Sequence, residues 1–289
     1  MSNVKEINSP AERDALGEIL IAKGKLNREQ VSQVLARQSG TAASFGETAI
    51  DLGLISREDL LEALSQQFGY VAAVESQRGS LSPDLLLAHD PYCATAEAIR
   101  LLRTQVALRR RQAGFRGVTV MAATPNIGCS FFSANLALAM SQIQVRTLLI
   151  DTNMRDPSIE GYFGLPARGE GLSSILSGAT RPERAIHHER LPYLSVITSG
   201  PQPPNPQELL SGSLFQSLAV ALMRDFDLVI ADTPAANSCA DAFAVAAALG
   251  QVLIVTQRNI THVRDVEVLS QQVQAAGGAV LGSVLNDRG

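Results

Sequence analysis

Tryptophan is absent from this 289-residue chain, and tyrosine occurs only four times, at Tyr70, Tyr92, Tyr162 and Tyr193. With aromatics at 4% of residues, aliphatic side chains must fill the interior, as they do in parallel sheets covered by helices. Cysteine is scarce as well: Cys93, Cys129 and Cys239 lie far apart and form no CxxC pair. That excludes a disulfide scaffold and a cysteine-based zinc ribbon, and it fits a reducing compartment. Long apolar runs are missing too. The longest, Ala242–Val255, is broken by Gly250 and Gln251 and is too short to span a bilayer. The N-terminal MSNVKEINSPAERDA lacks the apolar stretch of a signal peptide. The expectation is a soluble, cytoplasmic protein whose membrane role, if any, comes through a partner. Nor is there an excess of positive charge: 24 Lys and Arg against 28 Asp and Glu give −4, so no global field attracts nucleic acid. What is present is a globular composition, 46% hydrophobic and 18% charged, at a length suited to two domains.

The first part of the chain repeats itself. Residues 15–38 and 44–67 align at an offset of 29: Gly17 with Gly46, Glu18 with Glu47, Gly24 with Gly53, Leu35 with Leu64, Gln38 with Gln67. Each unit reads as a helix stopped by a glycine (Gly24, Gly53), then a second helix capped by Asn27 or Ser56 with Gln30 or Asp59 three residues on. The second helices carry apolar stripes, Val31/Val34/Leu35 and Leu60/Ala63/Leu64. This pattern predicts a small helical domain over 1–70. Residues 71–92, rich in small residues and holding Pro83 and Pro91, follow as a linker or an ordered bridge.

From 93 to 289 apolar strands alternate with helices. Strands are predicted at 117–123, 146–150, 194–198, 227–231, 251–257 and 279–286, and helices at 131–142, 206–224, 241–249 and 263–276. Such alternation predicts an α/β domain with a doubly wound, mostly parallel sheet and ligands at the carboxyl ends of its strands.

The chemistry is expected there. GVTVMAATPNIGCSFFSANLALAM reads as strand, tight loop and helix, a shape that presents backbone N–H groups to an anion. The strict phosphate-loop pattern fails twice: Ala123 stands where the first glycine belongs, and Cys129 follows Gly128 where a lysine belongs. Ser130 keeps the magnesium-binding hydroxyl. Two further segments end strands in carboxylates, TLLID at Asp151 and DLVIAD at Asp232. Such groups are costly to bury unpaired but are good ligands for hydrated magnesium beside phosphate. The alternative is that both are helix N-caps.

On these motifs, residues 92–289 resemble the cytoplasmic domain of bacterial tyrosine autokinases of capsule and exopolysaccharide loci, a branch of the P-loop ATPases with deviant Walker motifs. TPNIGCSFFSANLA (124–137) resembles their Walker A, LLIDTNMRDP (148–157) their Walker A′, and LVIADTP (228–234) their Walker B. The resemblance implies a nucleotide site at Asn126, Ile127, Gly128, Cys129, Ser130, Phe131 and Asn286. It also implies magnesium at Ser130, Asp151 and Asp232, and catalysis through Asp151, Asp232 and Arg155 with ATP or ADP and Mg²⁺. EAIRLLR (97–103) matches the ExxRxxR element through Glu97, Arg100 and Arg103, which in that family packs neighbouring subunits into a ring. The repeated N-terminal part resembles a domain of type II secretion and pilus assembly ATPases, some of which bind cyclic di-GMP. Its leading arginine is replaced by Ala15 and Ser44, so protein docking is the default expectation there. The pairing of the two modules resembles stand-alone chain length determinant protein tyrosine kinases. Their implied partner is an inner-membrane chain-length determinant protein that would recruit the chain to the membrane.

The departures from the family matter. Cys129 supplies no positive charge, and Asn153 stands where Walker A′ has its second aspartate. Catalysis should fall by orders of magnitude, since charge stabilisation dominates phosphoryl transfer. No tyrosine follows Tyr193, whereas the family phosphorylates a C-terminal tyrosine cluster, so self-phosphorylation is not expected. The expectation is a regulator of exopolysaccharide synthesis with weak or lost kinase activity. The alternatives are an active kinase acting on another protein, with Arg155 replacing the lysine, and a partitioning or positioning ATPase.

Overall fold

The structure, a computed structural model, describes residues 10–38, 44–56, 59–60, 62–63 and 80–287. They fall into two compact units, on either side of the boundary between residues 76 and 77.

The first unit is helical: Pro10–Ala22, Arg28–Gln38, Phe45–Asp51 and a further turn through Leu60. Gly24 and Gly53 end helices at φ 68° and 65°, left-handed values that cost glycine nothing. The cap of the second helix is reciprocal, with Asn27 Oδ1 accepting from the Gln30 N–H and Gln30 Oε1 from the Asn27 N–H. Ser56 and Asp59 repeat that exchange, and Ser44 with Glu47 forms a third box. Ser44 therefore spends its hydroxyl on a cap. Leu16, Leu20, Leu26, Val34, Phe45, Ala49, Ile55, Leu60 and Ala63 form the core. Leu35, expected on the stripe, is 36% exposed, because Val34 takes the inward position. Leu64 and Gln67 lie outside the described residues, as does 71–79.

Residues 80–92 are ordered and belong to the second unit. Leu81, Leu85, Leu87 and Ala88 are buried. The Leu86 N–H donates to Asn135 Oδ1 at 3.0 Å, and Asn135 Nδ2 donates back to the Asp84 carbonyl at 2.9 Å. This half of the segment read as a linker is a strap on the α/β unit.

Seven strands form one sheet: β1 (Gly117–Met121), β2 (Thr147–Asp151), β3 (His187–Leu191), β4 (Leu194–Ile197), β5 (Leu228–Asp232), β6 (Gln251–Gln257) and β7 (Ala279–Asn286). The order is β3-β4-β2-β5-β1-β6-β7, all parallel except the antiparallel edge strand β3. The fold is thus the deviant-Walker P-loop architecture preceded by helices. Helices Ser213–Asp225, Asp241–Leu249 and Val263–Ala275 cover one face, their Phe215, Leu218, Leu222, Val245, Leu249, Leu269 and Val273 packing on strand residues such as Leu148, Ile150, Val229 and Ile254. Phe215, fully buried, contributes roughly 2–3 kcal/mol by removal from water. Helix Cys129–Ser141 covers the other face. It is buried on every side from Phe131 to Ser141, with helix Ala94–Ala113 packed beyond it.

Three expectations are corrected. The helix predicted over 206–224 is two, Pro206–Ser211 and Ser213–Asp225, because Gly212 is extended (φ −74°, ψ 156°). The helix after the loop begins at Cys129, two residues earlier than its apolar periodicity indicates, because the loop itself turns into it. Strand β3 was not expected: HHERL has no apolar run, since an edge strand needs to bury only part of one face. No helix among the described residues is long and apolar enough to cross a membrane.

Candidate functional site

The site forms where the chain leaves the carboxyl ends of β1, β2 and β5. After β1 the backbone enters a tight loop with two left-handed residues, Asn126 (φ 62°) and Gly128 (φ 103°), before helix Cys129–Ser141 starts. Gly128 is required twice over. Its φ is strained for any L side chain, and a Cβ there would lie 2.8 Å from Asn286 Nδ2. Asn286, the last residue of β7, donates through that nitrogen to the Ile127 carbonyl at 2.8 Å and so fixes the loop. Gly128→Ala should destabilise the unit by roughly 2–3 kcal/mol and weaken any anion binding at the loop, as read by denaturant melts and nucleotide titration.

Asp151 and Asp232 end neighbouring strands and stand in register across the β2–β5 pair. Both are fully buried. Asp232 Oδ2 accepts from Ser130 Oγ at 2.6 Å and Oδ1 from Ser133 Oγ at 3.0 Å. Asp151 accepts from the N–H groups of Asn153 (2.9 Å), Ser158 and Ile159 (both 3.1 Å). Among the described residues neither has an ion-pair partner. Burial pushes the Asp232 carboxyl up to about 6, against the lowering effect of its hydroxyl donors. Burial, and then the negative charge of Asp232, push Asp151 well above the usual carboxylate range. A pair held this way is short of positive charge.

The structure brings together most of the residues expected from sequence. Cys129 is the first helical residue. Burial, and then Asp232, raise its thiol above the usual range, so the side chain is neutral at physiological pH. Ser130 is on site but already donates to Asp232. Phe131 is buried with its ring edge-to-face on Phe132 (centroids 5.3 Å apart), which leaves its backbone as its means of meeting an anion. Asn153 closes a local turn instead of facing a metal: its Nδ2 donates to the Asp156 carbonyl at 2.7 Å and its Oδ1 accepts from the Asp156 N–H. Arg155 pairs with Asp241 (Nε–Oδ2 3.1 Å). Away from this site, Glu97 and Arg100 pair with each other at 2.9 Å on helix Ala94–Ala113, and burial lowers the partly covered Arg103.

Sequence reasoning missed four contributors. Ser133 lies one turn after Ser130, a spacing that shares a helix face, and so it reaches the second oxygen of Asp232. Thr152 donates its N–H and hydroxyl to the Asp232 carbonyl, and Thr233 donates its hydroxyl to the Val120 carbonyl, tying β2, β5 and β1 at their ends. Asp241, at the start of helix Asp241–Leu249, holds Arg155 from 86 residues away, a contact with no local signal. Among the described residues, no three His, Cys, Asp or Glu side chains cluster as a metal cage. The donor set suits an ion that shares its shell with phosphate and water, as magnesium does.

Comparison with known proteins places the chain. No family model matches it. Over 211 residues it is 31% identical to the putative tyrosine-protein kinase CapB of Staphylococcus aureus, spanning 73% of this chain and 91% of that protein. It is 34% identical over 191 residues to the tyrosine-protein kinase ptk of Acinetobacter johnsonii, 66% of this chain, but spans only 26% of that relative's length. Among solved structures, the kinase domain of the Escherichia coli tyrosine kinase ETK superposes with a TM-score of 0.66 at 30% identity, over 70% of this chain and 79% of that one. The cell division ATPase MinD of Pyrococcus furiosus, at 22% identity and TM-score 0.53, shares the fold. With nine-tenths of the Staphylococcus relative matched at 31% identity, the chain belongs to the family of bacterial tyrosine-protein kinases.

Proposed function

We propose that this chain is a nucleotide-binding, tyrosine-kinase-like regulator of exopolysaccharide polymerisation, chain length and export whose phosphoryl transfer is weak or lost. In this reading it is cytoplasmic, assembles through Glu97, Arg100 and Arg103, and is recruited to the inner membrane by a chain-length determinant protein. The observation that carries the reading is Cys129. At the position where the loop needs a fixed positive charge stands a half-buried, neutral thiol. The remaining parts fit a nucleotide. The loop backbone at 126–130 and the helix N-terminus suit phosphate oxygens, and Asp151, Asp232 and Ser130 would hold magnesium, which would neutralise phosphate charge. Nucleotide bound without turnover would act as a positional signal. For the N-terminal helical repeat, protein docking is the proposed role, with cyclic di-GMP as the ligand to test.

Calorimetric titration of the full chain with ATP·Mg, ADP·Mg and cyclic di-GMP tests this. Binding of ATP·Mg with phosphate release far slower than an ordinary kinase turnover of ~1–100 s⁻¹ is the expected result. Heat with no nucleotide would leave a scaffold, and rapid transfer of phosphate to a protein tyrosine would establish an active kinase. That second reading calls on Arg155. Its guanidinium is engaged by Asp241, so it would first have to break that pair.

A further inference from the structure

Lysine occurs three times in the chain, at Lys5, Lys23 and Lys25, all within the first unit. The α/β unit therefore has no lysine at all, and any full-time cation that this unit itself supplies to its phosphate loop is a guanidinium. At the carboxyl edge of the sheet, Arg155 is paired with Asp241 and Arg258 with Asp287. Arg264 is different. It lies in the first turn of helix Val263–Ala275, is exposed, and has no ion pair or side-chain hydrogen bond among the described residues.

Arg264 borders a cleft of about 290 Å³. Its opposite wall is Ala123 and Thr124, the first residues of the phosphate loop, with Ala236 and Asn237 from the segment after β5 alongside. Two backbone hydrogen bonds lock these walls together, Ala236 N–H to the Ala122 carbonyl and Asn237 N–H to the Ala123 carbonyl. The cleft thus borders the first two residues of the loop, Ala123 and Thr124. The Thr124 hydroxyl at this mouth is buried and has no partner among the described residues. Asp265 is the one carboxylate on the lining, and among the described residues it forms no ion pair with Arg264.

We infer that Arg264 supplies the positive charge that Cys129 lacks, reaching across this cleft to the terminal phosphate of a magnesium-bound nucleoside triphosphate, with Thr124 and Asn237 as its hydrogen-bonding neighbours. The guanidinium suits the task, since its planar fork takes two phosphate oxygens at once and keeps its charge at any physiological pH. A charge held on a helix beyond the cleft, instead of inside the loop, contacts the outermost phosphate and discriminates triphosphate from diphosphate. This assignment rests on the nucleotide reading of the loop.

The test is calorimetric titration of ATP·Mg and ADP·Mg into the full-length wild type, Arg264→Gln, Arg264→Lys, Cys129→Lys and the Cys129→Lys/Arg264→Gln double variant. Arg264 is exposed, so its replacement should leave the melting temperature unchanged. Losing one charge-assisted phosphate contact should weaken ATP·Mg by about 10- to 100-fold in Arg264→Gln. ADP·Mg should change by less than about 3-fold, and Arg264→Lys should recover part of the loss. In the Cys129→Lys background the same substitution should cost less than about 3-fold, because the loop then carries its own cation. If the wild type binds ATP·Mg and Arg264→Gln binds it equally well, the inference falls while the nucleotide reading stands. If the wild type binds neither nucleotide, both fall.

Discussion

Cys129→Lys is expected to raise the affinity for ATP·Mg by about 10- to 100-fold, the gain from one charge-assisted contact to phosphate. The site is prepared for an ammonium. Burial, and after it the negative charge of Asp232, raise the Cys129 thiol, and the same nearness to Asp232 favours a positive charge there. Both members gain. The carboxyl of Asp232, pushed up to about 6 by burial, should fall toward the ordinary range once lysine stands beside it. The change is read by titrating nucleotide into both proteins and by following the carboxyl resonance of Asp232. An unchanged affinity, with the variant folded, would mean that the loop is an ordinary strand-to-helix turn.

Asp232→Asn should stabilise the nucleotide-free protein at neutral and alkaline pH and abolish the effect of magnesium. In the folded protein this carboxyl titrates near 6, above the 3.8 of an exposed aspartate. Between those values the folded state holds the proton and the unfolded state has lost it, so stability falls as pH rises through that window. Above pH 6 the full cost is present, about 3 kcal/mol for a move from 3.8 to 6. Asparagine keeps the shape and carries no charge; its one amide oxygen accepts from one of the two serine hydroxyls, and its amide nitrogen donates to the other. Thermal melts at pH 4.5 and 8 should therefore show the wild type losing stability at the higher pH relative to the variant. Magnesium with nucleotide should restore the wild type and leave the variant unmoved. A variant less stable than the wild type at pH 8 without ligand would show that the carboxylate is already neutralised by a group in the fold.

The sheet was legible because each central strand is a short apolar run that needs burial on both faces. GVTVM, TLLID and LVIAD announce themselves, and 251–257 and 279–286 match β6 and β7 residue for residue. What hydrophobic pattern does not encode stayed hidden. The edge strand at 187–191 pairs on one side and begins with two histidines. Gly212 breaks a helix whose apolar period runs straight across it, because its backbone is extended there. At the site, the residue types could be read but not their juxtaposition. Asp151 and Asp232 face each other only because the strand order places β5 between β2 and β1, and order comes from the folded sheet. Arg155 could be read as a spare cation only while Asp241, far along the chain, was unseen as its partner.

Single-turnover release of phosphate from ATP·Mg, with wild type and Cys129→Lys at equal occupancy, tests the central claim most directly. The wild type should hold ATP intact over minutes, and the variant should cleave it at least about 100-fold faster, because a cation restored at the loop acts on charge that develops in the transition state. Cleavage by the wild type at an ordinary kinase rate, unchanged by the lysine, would contradict the account.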